Sequence, residues 1–545
     1  MHGLMQDSPL TIHHILWRME RLFARKAVST KRANGMHRYT YGDLVSRTKR
    51  LAAALSRLGV KEGDRVATLA WNNYRHLELY YAIPCMGAVL HTLNLRLSPD
   101  QLAFIANDAG DSVIVVDDTL LPLLEKFIDR VPGVRHVIVM SDGGGQAILP
   151  VGNSGDRQDC LSSTLDYETL LAAEEPSFEW PQLDERAAAA MCYTSGTTGH
   201  PKGVIYSHRS TFLHTLASLA MTTMGVDEAD TILAMVPMFH ANAWGLPYTA
   251  GMSGASFVFP DRWMGDADAV LGLAESERAT ILAGVPTIWI GVLQKLGERG
   301  LPHVRHIICG GSAVPRSLIE AYEARGLSLL HAWGMTELSP MGSIAKPRSW
   351  HEGNGMDARV TQGPPAPCVE LRITDLATGA ELPWDGTTFG ELEARGPWVA
   401  SGYHNGADAD RFQPGGWFRT GDVAAMTPDG YINIVDRAKD VIKSGGEWVS
   451  SVELENAIMA HPKVLEAAVI GVPHPKWSER PVGYVVPRAE FRDDISPQEI
   501  LAHLESKFMR WWLPDEIRFI DEVPKTSVGK FDKKVLRARA EPLRE

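Results

Sequence analysis

Tyr193-Thr194-Ser195-Gly196-Thr197-Thr198-Gly199-His200-Pro201-Lys202-Gly203 is the stretch on which the reading of this chain turns. Four serine or threonine hydroxyls, three glycines and one lysine fall within eleven positions. Backbone N–H groups, hydroxyls and an ammonium group in such a segment can converge on phosphate oxygens. The P-loop pattern GxxxxGK[ST] does not fit, because Lys202 is preceded by Pro201 and followed by Gly203. A hydroxyl-rich surface loop has the same composition, and the residues of this segment alone leave that reading open.

The chain around it has 545 residues, 45% of them hydrophobic and 22% charged, a globular composition with room for two or more domains. Net charge is −12 with both signs spread along the chain, which disfavours a nucleic-acid surface. Cys85, Cys160, Cys192, Cys309 and Cys368 are far apart and never in CxxC spacing. Neither a disulfide framework nor a zinc site is expected, and a reduced cytoplasm fits best. The first residues carry Asp7 and histidines instead of a basic stretch followed by an apolar one, so no export signal is expected, and the longest apolar run, residues 79–90, is too short to cross a bilayer.

Ile12, Ile15, Leu16, Met19, Leu22 and Phe23 recur at helical spacing beside Arg18, Arg25 and Lys26. A docked first helix is the expectation and peripheral membrane contact the alternative. Thr40 with Asp43 reads as a capping box opening a helix whose apolar face holds Leu44, Val45, Leu51, Leu55 and Leu58. β-rich runs at 65–70, 112–116 and 136–140 alternate with helical patterns, which reads as α/β. Residues 141–159, rich in Gly, Ser and Asp, read as an exposed loop. A domain boundary is expected near 436–443. Beyond it come apolar runs at 464–472 and 482–486, a helix capped by Ser496 with Glu499, and a strand near 517–520.

Seven further segments carry chemistry-bearing residues: Pro237-Met238-Phe239-His240-Ala241-Asn242-Ala243-Trp244, Cys309-Gly310-Gly311-Ser312-Ala313, His331-Ala332-Trp333-Gly334-Met335-Thr336-Glu337, Trp417-Phe418-Arg419-Thr420-Gly421-Asp422, Asp436-Arg437-Ala438-Lys439-Asp440, Lys443-Ser444-Gly445-Gly446-Glu447-Trp448 and Pro524-Lys525-Thr526-Ser527-Val528-Gly529-Lys530. Taken singly they have plainer readings: a structural histidine, a core tryptophan, a turn aspartate, a solvated charge cluster. Taken in order with the opening stretch, they resemble the motifs of the adenylate-forming (AMP-binding) superfamily, and most of all its medium- and long-chain fatty acyl-CoA synthetases. The resemblance runs from about Tyr39 to Leu536.

That resemblance implies an α/β fold in which a large N-terminal domain, residues 1–436, combines layered α/β subdomains with a β-rich one. A small mobile α+β domain, residues 437–545, follows. It implies that Thr194, Ser195, Gly196, Thr197, Thr198, Gly199 and Lys202 hold the ATP phosphates, and that Gly311, Ser312, Ala313, Trp333 and Gly334 surround the adenine, with Trp333 stacking on it. Many relatives carry tyrosine at that position, so a contact made by its hydroxyl has no counterpart here. Thr336 would bond a phosphate, Thr194 and Glu337 would sit at Mg²⁺, Asp422 would accept the ribose hydroxyls, and Arg437 would reach ribose or phosphate. His240, Trp244, Gly310 and Gly311 would line the acyl pocket, His240 beside the reacting carboxylate.

Lys439 would be the hinge, and Lys443, Ser444, Gly445, Gly446, Glu447 and Trp448 would serve the thioester step with coenzyme A. Lys530 would act in adenylation, which makes Lys530, Glu337, His240 and Thr194 the catalytic set. The implied reaction activates a medium- or long-chain fatty acid with ATP and Mg²⁺ as acyl-AMP, then passes the acyl group to coenzyme A, in a homodimer. A short thioether, branched or aromatic acid is the alternative substrate. A free-standing enzyme loading a separate carrier protein is the alternative activity.

Overall fold

The computed structural model describes residues 1, 3–142, 164–194, 201–297, 299–438, 440–444, 447–525 and 531–540. Local signals translate directly into elements. At Thr40 the side chain accepts from the Asp43 N–H, Asp43 accepts from the Thr40 N–H at 2.9 Å, and the helix runs Tyr41–Arg57. Leu44, Val45, Leu51 and Leu55 are buried, and Leu58 stands at the C-cap, half-buried. The first helix, Ile12–Arg21, is docked. Ile12, Ile15, Leu16 and Met19 are buried, and the Arg18 Nε donates to the Met252 carbonyl at 2.8 Å. Leu22, counted in that apolar face from the sequence, falls past the helix end and is 53% exposed.

The apolar run 79–90 is divided between the wholly buried helix Tyr74–Cys85 and the strand Val89–Thr92. Among the described residues no helix is long and apolar enough to cross a membrane.

Two largely parallel sheets form the bulk of the chain. One is eight-stranded, in the order Met341–Ile344, Leu329–Gly334, His306–Gly310, Ile281–Gly284, Thr231–Ala234, Ser256–Phe259, Ala27–Arg32, Gly35–Thr40. Only its two edge pairings are antiparallel. The other is seven-stranded, in the order Thr164–Asp166, His136–Met140, Asp111–Asp117, Arg65–Leu69, Val89–Thr92, Ala188–Tyr193, Gly203–Ser207. It is parallel except for the last pair. Strands such as Ile281–Gly284 are buried along their whole length, as sheets covered on both faces require.

A five-stranded antiparallel sheet follows, containing Glu370–Thr374, Gly390–Arg395, Phe412–Gln413, Trp417–Met426 and Ile432–Arg437. A separate, smaller C-terminal unit has its own five-stranded sheet of Ile442–Ser444, Glu447–Val449, Val464–His474, Ser478–Pro487 and Glu516–Phe519. The helices Ser451–Met459, Pro497–Glu505 and Lys533–Arg539 accompany it. The cap expected at Ser496 is made to the Glu499 N–H. Of the glycine-rich stretch 141–159, residues 143–159 lie outside the described residues.

Candidate functional site

In open α/β sheets ligands bind where the carboxyl ends of parallel strands leave a crevice. Here a cavity of about 760 Å³ is lined by the residues that follow such ends. Thr194 follows Ala188–Tyr193, Val236 and Pro237 follow Thr231–Ala234, and Val285 follows Ile281–Gly284. Gly310 ends His306–Gly310, while Trp333 and Gly334 end Leu329–Gly334. Two parallel sheets thus aim their loops at one volume. A smaller cavity of about 220 Å³ adjoins it, sharing Gly311, Trp333, Asp422 is added from the antiparallel sheet, and Ser312 and Ala313 complete that wall.

Glycine is required at two of these strand ends. A Cβ on Gly310 would lie 2.6 Å from the Ala332 carbonyl oxygen, and one on Gly334 would overlap the Pro340 carbonyl.

The two ends of the hydroxyl-rich segment lie side by side on antiparallel strands. Tyr193 pairs with Gly203, and the Thr194 N–H donates to the Lys202 carbonyl at 2.9 Å. Ser195, Gly196, Thr197, Thr198 and Gly199 lie outside the described residues. Thr194 and Lys202 line the large cavity. The Lys202 ammonium pairs with Asp408 and stands 5.5 Å from the Tyr403 ring centre. Burial, then the neighbouring Arg411 guanidinium, lower its pKa below that of an ordinary lysine.

Glu337 is 4% exposed and lines the same cavity with Thr336. Tyr403 Oη donates to Glu337 Oε1, and Arg411 Nη1 donates to Tyr403 Oη at 2.6 Å. Arg411 is itself fixed by the carbonyls of Arg419 and Thr420, at 2.8 and 3.0 Å from Nη2. Among the described residues no cluster of three or more His, Cys, Asp or Glu could cage a metal. One buried carboxylate beside threonine hydroxyls suits a Mg²⁺ ion that takes most of its ligands from phosphate and water.

Asp422 and Arg437 face each other across the antiparallel ladder, and Arg437 Nε lies 2.7 Å from Asp422 Oδ1. The other carboxylate oxygen accepts from Trp333 Nε1 at 2.9 Å. Tryptophan thus supplies a donor to the aspartate, a contact the sequence reading did not foresee. Trp333→Phe keeps an aromatic face and removes that donor. The expected result is an ATP KM raised roughly tenfold, about 1.5 kcal/mol for a hydrogen bond to a charged group, with kcat little changed. Initial-rate kinetics at saturating acid and thiol check it.

His240 precedes a left-handed run in which Ala241, Asn242, Ala243 and Trp244 have φ between 44° and 57°. Four successive non-glycine residues there are held by their surroundings. The Asn242 Oδ1 accepts from the Cys192 thiol at 3.0 Å and from Tyr80 Oη at 3.4 Å, while Gly245, at φ 75°, packs against the buried His214 ring. The run brings His240, Ala241 and Trp244 to the cavity wall beside Met224, Val236 and Met341.

The far side is closed by the C-terminal unit: Lys525, Phe531, Asp532, Lys533, Lys534 and Arg537 line the large cavity. Lys530 itself, with Lys439, Gly445 and Gly446, lies outside the described residues, as do the side chains of Glu447 and Trp448. Lys443 and Ser444 line neither cavity. The Lys443 N–H donates to Glu479 Oε2 at 3.0 Å, and Ser444 Oγ accepts from Arg480 Nη1 at 2.9 Å. Tyr403, Asp408, Arg411 and Lys533 join the site without having been singled out in the sequence. They sit in no recognisable motif, and Tyr403, Asp408 and Lys533 find partners remote in the chain.

A crevice at parallel strand ends, with an aromatic face beside a buried carboxylate, is the setting of a nucleotide-using enzyme. Residues 19–404 match the family described as AMP-binding enzyme, and residues 453–530 match AMP-binding enzyme C-terminal domain. The chain belongs to the AMP-binding enzyme family. It is 44% identical over 543 residues to the long-chain-fatty-acid–CoA ligase of Thermus thermophilus, covering 98% of this chain and 96% of that one. It is 42% identical over 545 residues to the 3-methylmercaptopropionyl-CoA ligase of Ruegeria lacuscaerulensis, covering 98% of each. Among solved structures, that of the anthranilate CoA ligase AuaEII in complex with anthranoyl-AMP aligns with a TM-score of 0.85 at 25% identity, covering 98% of this chain and 99% of that one.

Proposed function

We propose that this chain is an ATP-dependent carboxylic acid:CoA ligase acting on a medium- or long-chain fatty acid through an acyl-AMP intermediate. The observation that carries the reading is the single cavity in which Thr194, His240, Trp333, Glu337 and the segment flanking Lys530 meet. A carboxylate oxygen attacks the α-phosphorus of ATP, the bond to the bridging oxygen breaks, and pyrophosphate leaves. A thiolate then attacks the acyl carbon, AMP departs, and a thioester remains.

Each approach in the first step is between anions. Two unit charges about 4 Å apart repel by roughly 4 kcal/mol at an effective dielectric of about 20. Glu337 and Thr194 would hold Mg²⁺, which supplies charge neutralisation when bound. Lys202, Arg437 and Lys530 add cationic side chains, and His240 positions the acid. Asp422 would accept the ribose hydroxyls, with Trp333 against the base. Ser195, Gly196, Thr197, Thr198 and Gly199 would cradle the phosphates. In the arrangement described, Lys525 and Phe531 face the cavity and Lys443 and Ser444 do not, which supports assigning it to adenylation. Domains 1–436 and 437–545 would then rotate at Lys439, so that Lys443, Ser444, Gly445, Gly446, Glu447 and Trp448 replace the Lys530 segment for the thioester step.

Apolar lining at Val236, Pro237, Trp244, Met341 and Ile344 favours an alkyl chain. A short thioether acid is the second reading, favoured by the relative named for 3-methylmercaptopropionyl-CoA and by the soft, adaptable side chains of Met224, Met335 and Met341 at the cavity. The free cysteines Cys85, Cys192, Cys309 and Cys368 support a reducing cytoplasm. A homodimer is the proposed assembly, with the exposed Trp17, Leu22, Leu216 and Met221 as candidate apolar contacts for it.

The test is a panel of acids from acetate to stearate, with aromatic and 3-methylthio members, read as AMP release with coenzyme A. AMP release is expected to require both acid and thiol and to be fastest with a medium or long alkyl chain. ADP formation, or AMP release indifferent to the acid, would overturn the proposal.

A further inference from the structure

Successive strand residues send their side chains to opposite faces, and the last two of Ile432–Arg437 do so to different ends. Arg437 turns to Asp422 at the nucleotide wall. Asp436, 2% exposed, meets the helix Ser451–Met459, where the Ser451 N–H donates to Oδ2 at 2.9 Å and the Ser451 hydroxyl donates to the same oxygen. The contact therefore joins the last strand before residue 439 to the first helix after it.

Lys533 reaches the same cluster from the start of Lys533–Arg539, three positions beyond Lys530. Its Nζ is 2.7 Å from Glu455 Oε1 and donates to Ser451 Oγ at 2.5 Å. The pair is deeply placed, with side-chain exposures of 10% for Lys533 and 8% for Glu455. Glu455 also accepts from the Val469 N–H at 2.8 Å, which ties it to the C-terminal sheet. Burial opposes a charge on Lys533, yet the Glu455 and Asp436 carboxylates hold its pKa above the ordinary lysine value. Within the C-terminal unit, Arg537 pairs with Asp440 at 2.7 Å alongside.

We propose that Lys533, Glu455 and Ser451, closing on Asp436, are positioning residues that latch the C-terminal unit in the adenylate-forming arrangement. The inference rests on the two half-reactions and the rotation at Lys439 proposed above. Rotation at that point separates Asp436 on one side from Ser451 and Lys533 on the other, so the Asp436–Ser451 contact exists in one arrangement only, while Lys533 and Glu455 hold Ser451 in place within the C-terminal unit. Interactions confined to one state set its population. The latch holds the C-terminal unit, with Lys525 and Phe531 at the cavity, against the nucleotide crevice and opens before the acyl group passes to the thiol.

The test compares Lys533→Met and Ser451→Ala with the wild-type full-length chain in two separate half-reactions. ATP–pyrophosphate exchange reports adenylation, and thioester formation from synthetic acyl-AMP and coenzyme A reports transfer. Spin labels on the exposed Cys368 and on a cysteine at the 92% exposed Asp521, in a Cys160→Ser background, report the distance between the two units without reference to activity.

Lys533→Met is expected to lower exchange about tenfold, and Ser451→Ala about threefold. Thioester formation stays at or above the wild-type rate, and a second interdomain distance gains population. Loss of one partner leaves the other charge buried, so if Lys533→Met fails to fold, Ser451→Ala decides alone. Equal changes in both half-reactions, or an unchanged distance distribution, overturn the latch. A distance shift in variants of a wild type that makes no CoA thioester would keep the latch and remove the proposed reaction.

Discussion

Lys530→Ala lowers acyl-adenylate formation by roughly a thousandfold and leaves thioester formation from supplied acyl-AMP within about threefold of wild type. The first figure follows from about 4 kcal/mol for one cation about 4 Å from a developing anionic charge at an effective dielectric of about 20. The second follows because the leaving group of the second step is AMP, which needs no further cation brought to the α-phosphate. The residues flanking Lys530, Lys525 and Phe531, line the cavity with Thr194 and Glu337. ATP–pyrophosphate exchange and thioester assays on one preparation give both values. Equal loss of the two half-reactions contradicts the division of labour between Lys530 and the Lys443 segment.

Glu337→Gln has the next largest expected effect, a fall of about a hundredfold in adenylation, in the range for removal of one preorganised charge-stabilising group. The substitution is nearly isosteric, and its amide oxygen can still accept from Tyr403 Oη, which Arg411 supports at 2.6 Å. Thermal stability is therefore expected to stay close to wild type. The diagnostic readout is the metal. The concentration of Mg²⁺ giving half-maximal exchange rises, excess Mg²⁺ partly restores the rate, and Mn²⁺ binding in the presence of nucleotide weakens in parallel. An unchanged metal dependence would separate Glu337 from the ion.

The features legible in the sequence are those whose cause is local or whose residues stand in a run. Thr40 and Asp43 cap their helix because the partners are three residues apart, and the buried strands at 65–69 and 136–140 announce themselves as short β-branched runs. Trp333 to Glu337 and Asp422 are likewise visible as ordered motifs, although Trp333 and Glu337 meet Thr194 only because two sheets aim their carboxyl ends at one volume, and Asp422 reaches the adjoining wall from the antiparallel sheet.

What could not be read depends on partners far apart in the chain. The Trp333 donor finds Asp422 across 89 positions, Tyr403 finds Glu337 across 66, and Lys533 finds Ser451 across 82. No spacing rule connects such pairs, and Tyr403 and Arg411 lie in a connecting segment with neither helical nor strand periodicity. Leu22 illustrates the smaller error. It continues the apolar spacing of the first helix, but the helix ends at Arg21 and leaves it exposed.

The most direct measurement is a crystal structure with a non-hydrolysable fatty acyl-sulfamoyl adenosine, a stand-in for acyl-AMP. The account predicts adenine against the Trp333 ring, both ribose hydroxyls within hydrogen-bond reach of Asp422, the sulfamoyl group between Thr194 and Glu337, and the alkyl chain running past His240 toward Trp244. An adenosine bound away from Trp333 and Asp422, or an alkyl chain directed out of this cavity, would contradict it.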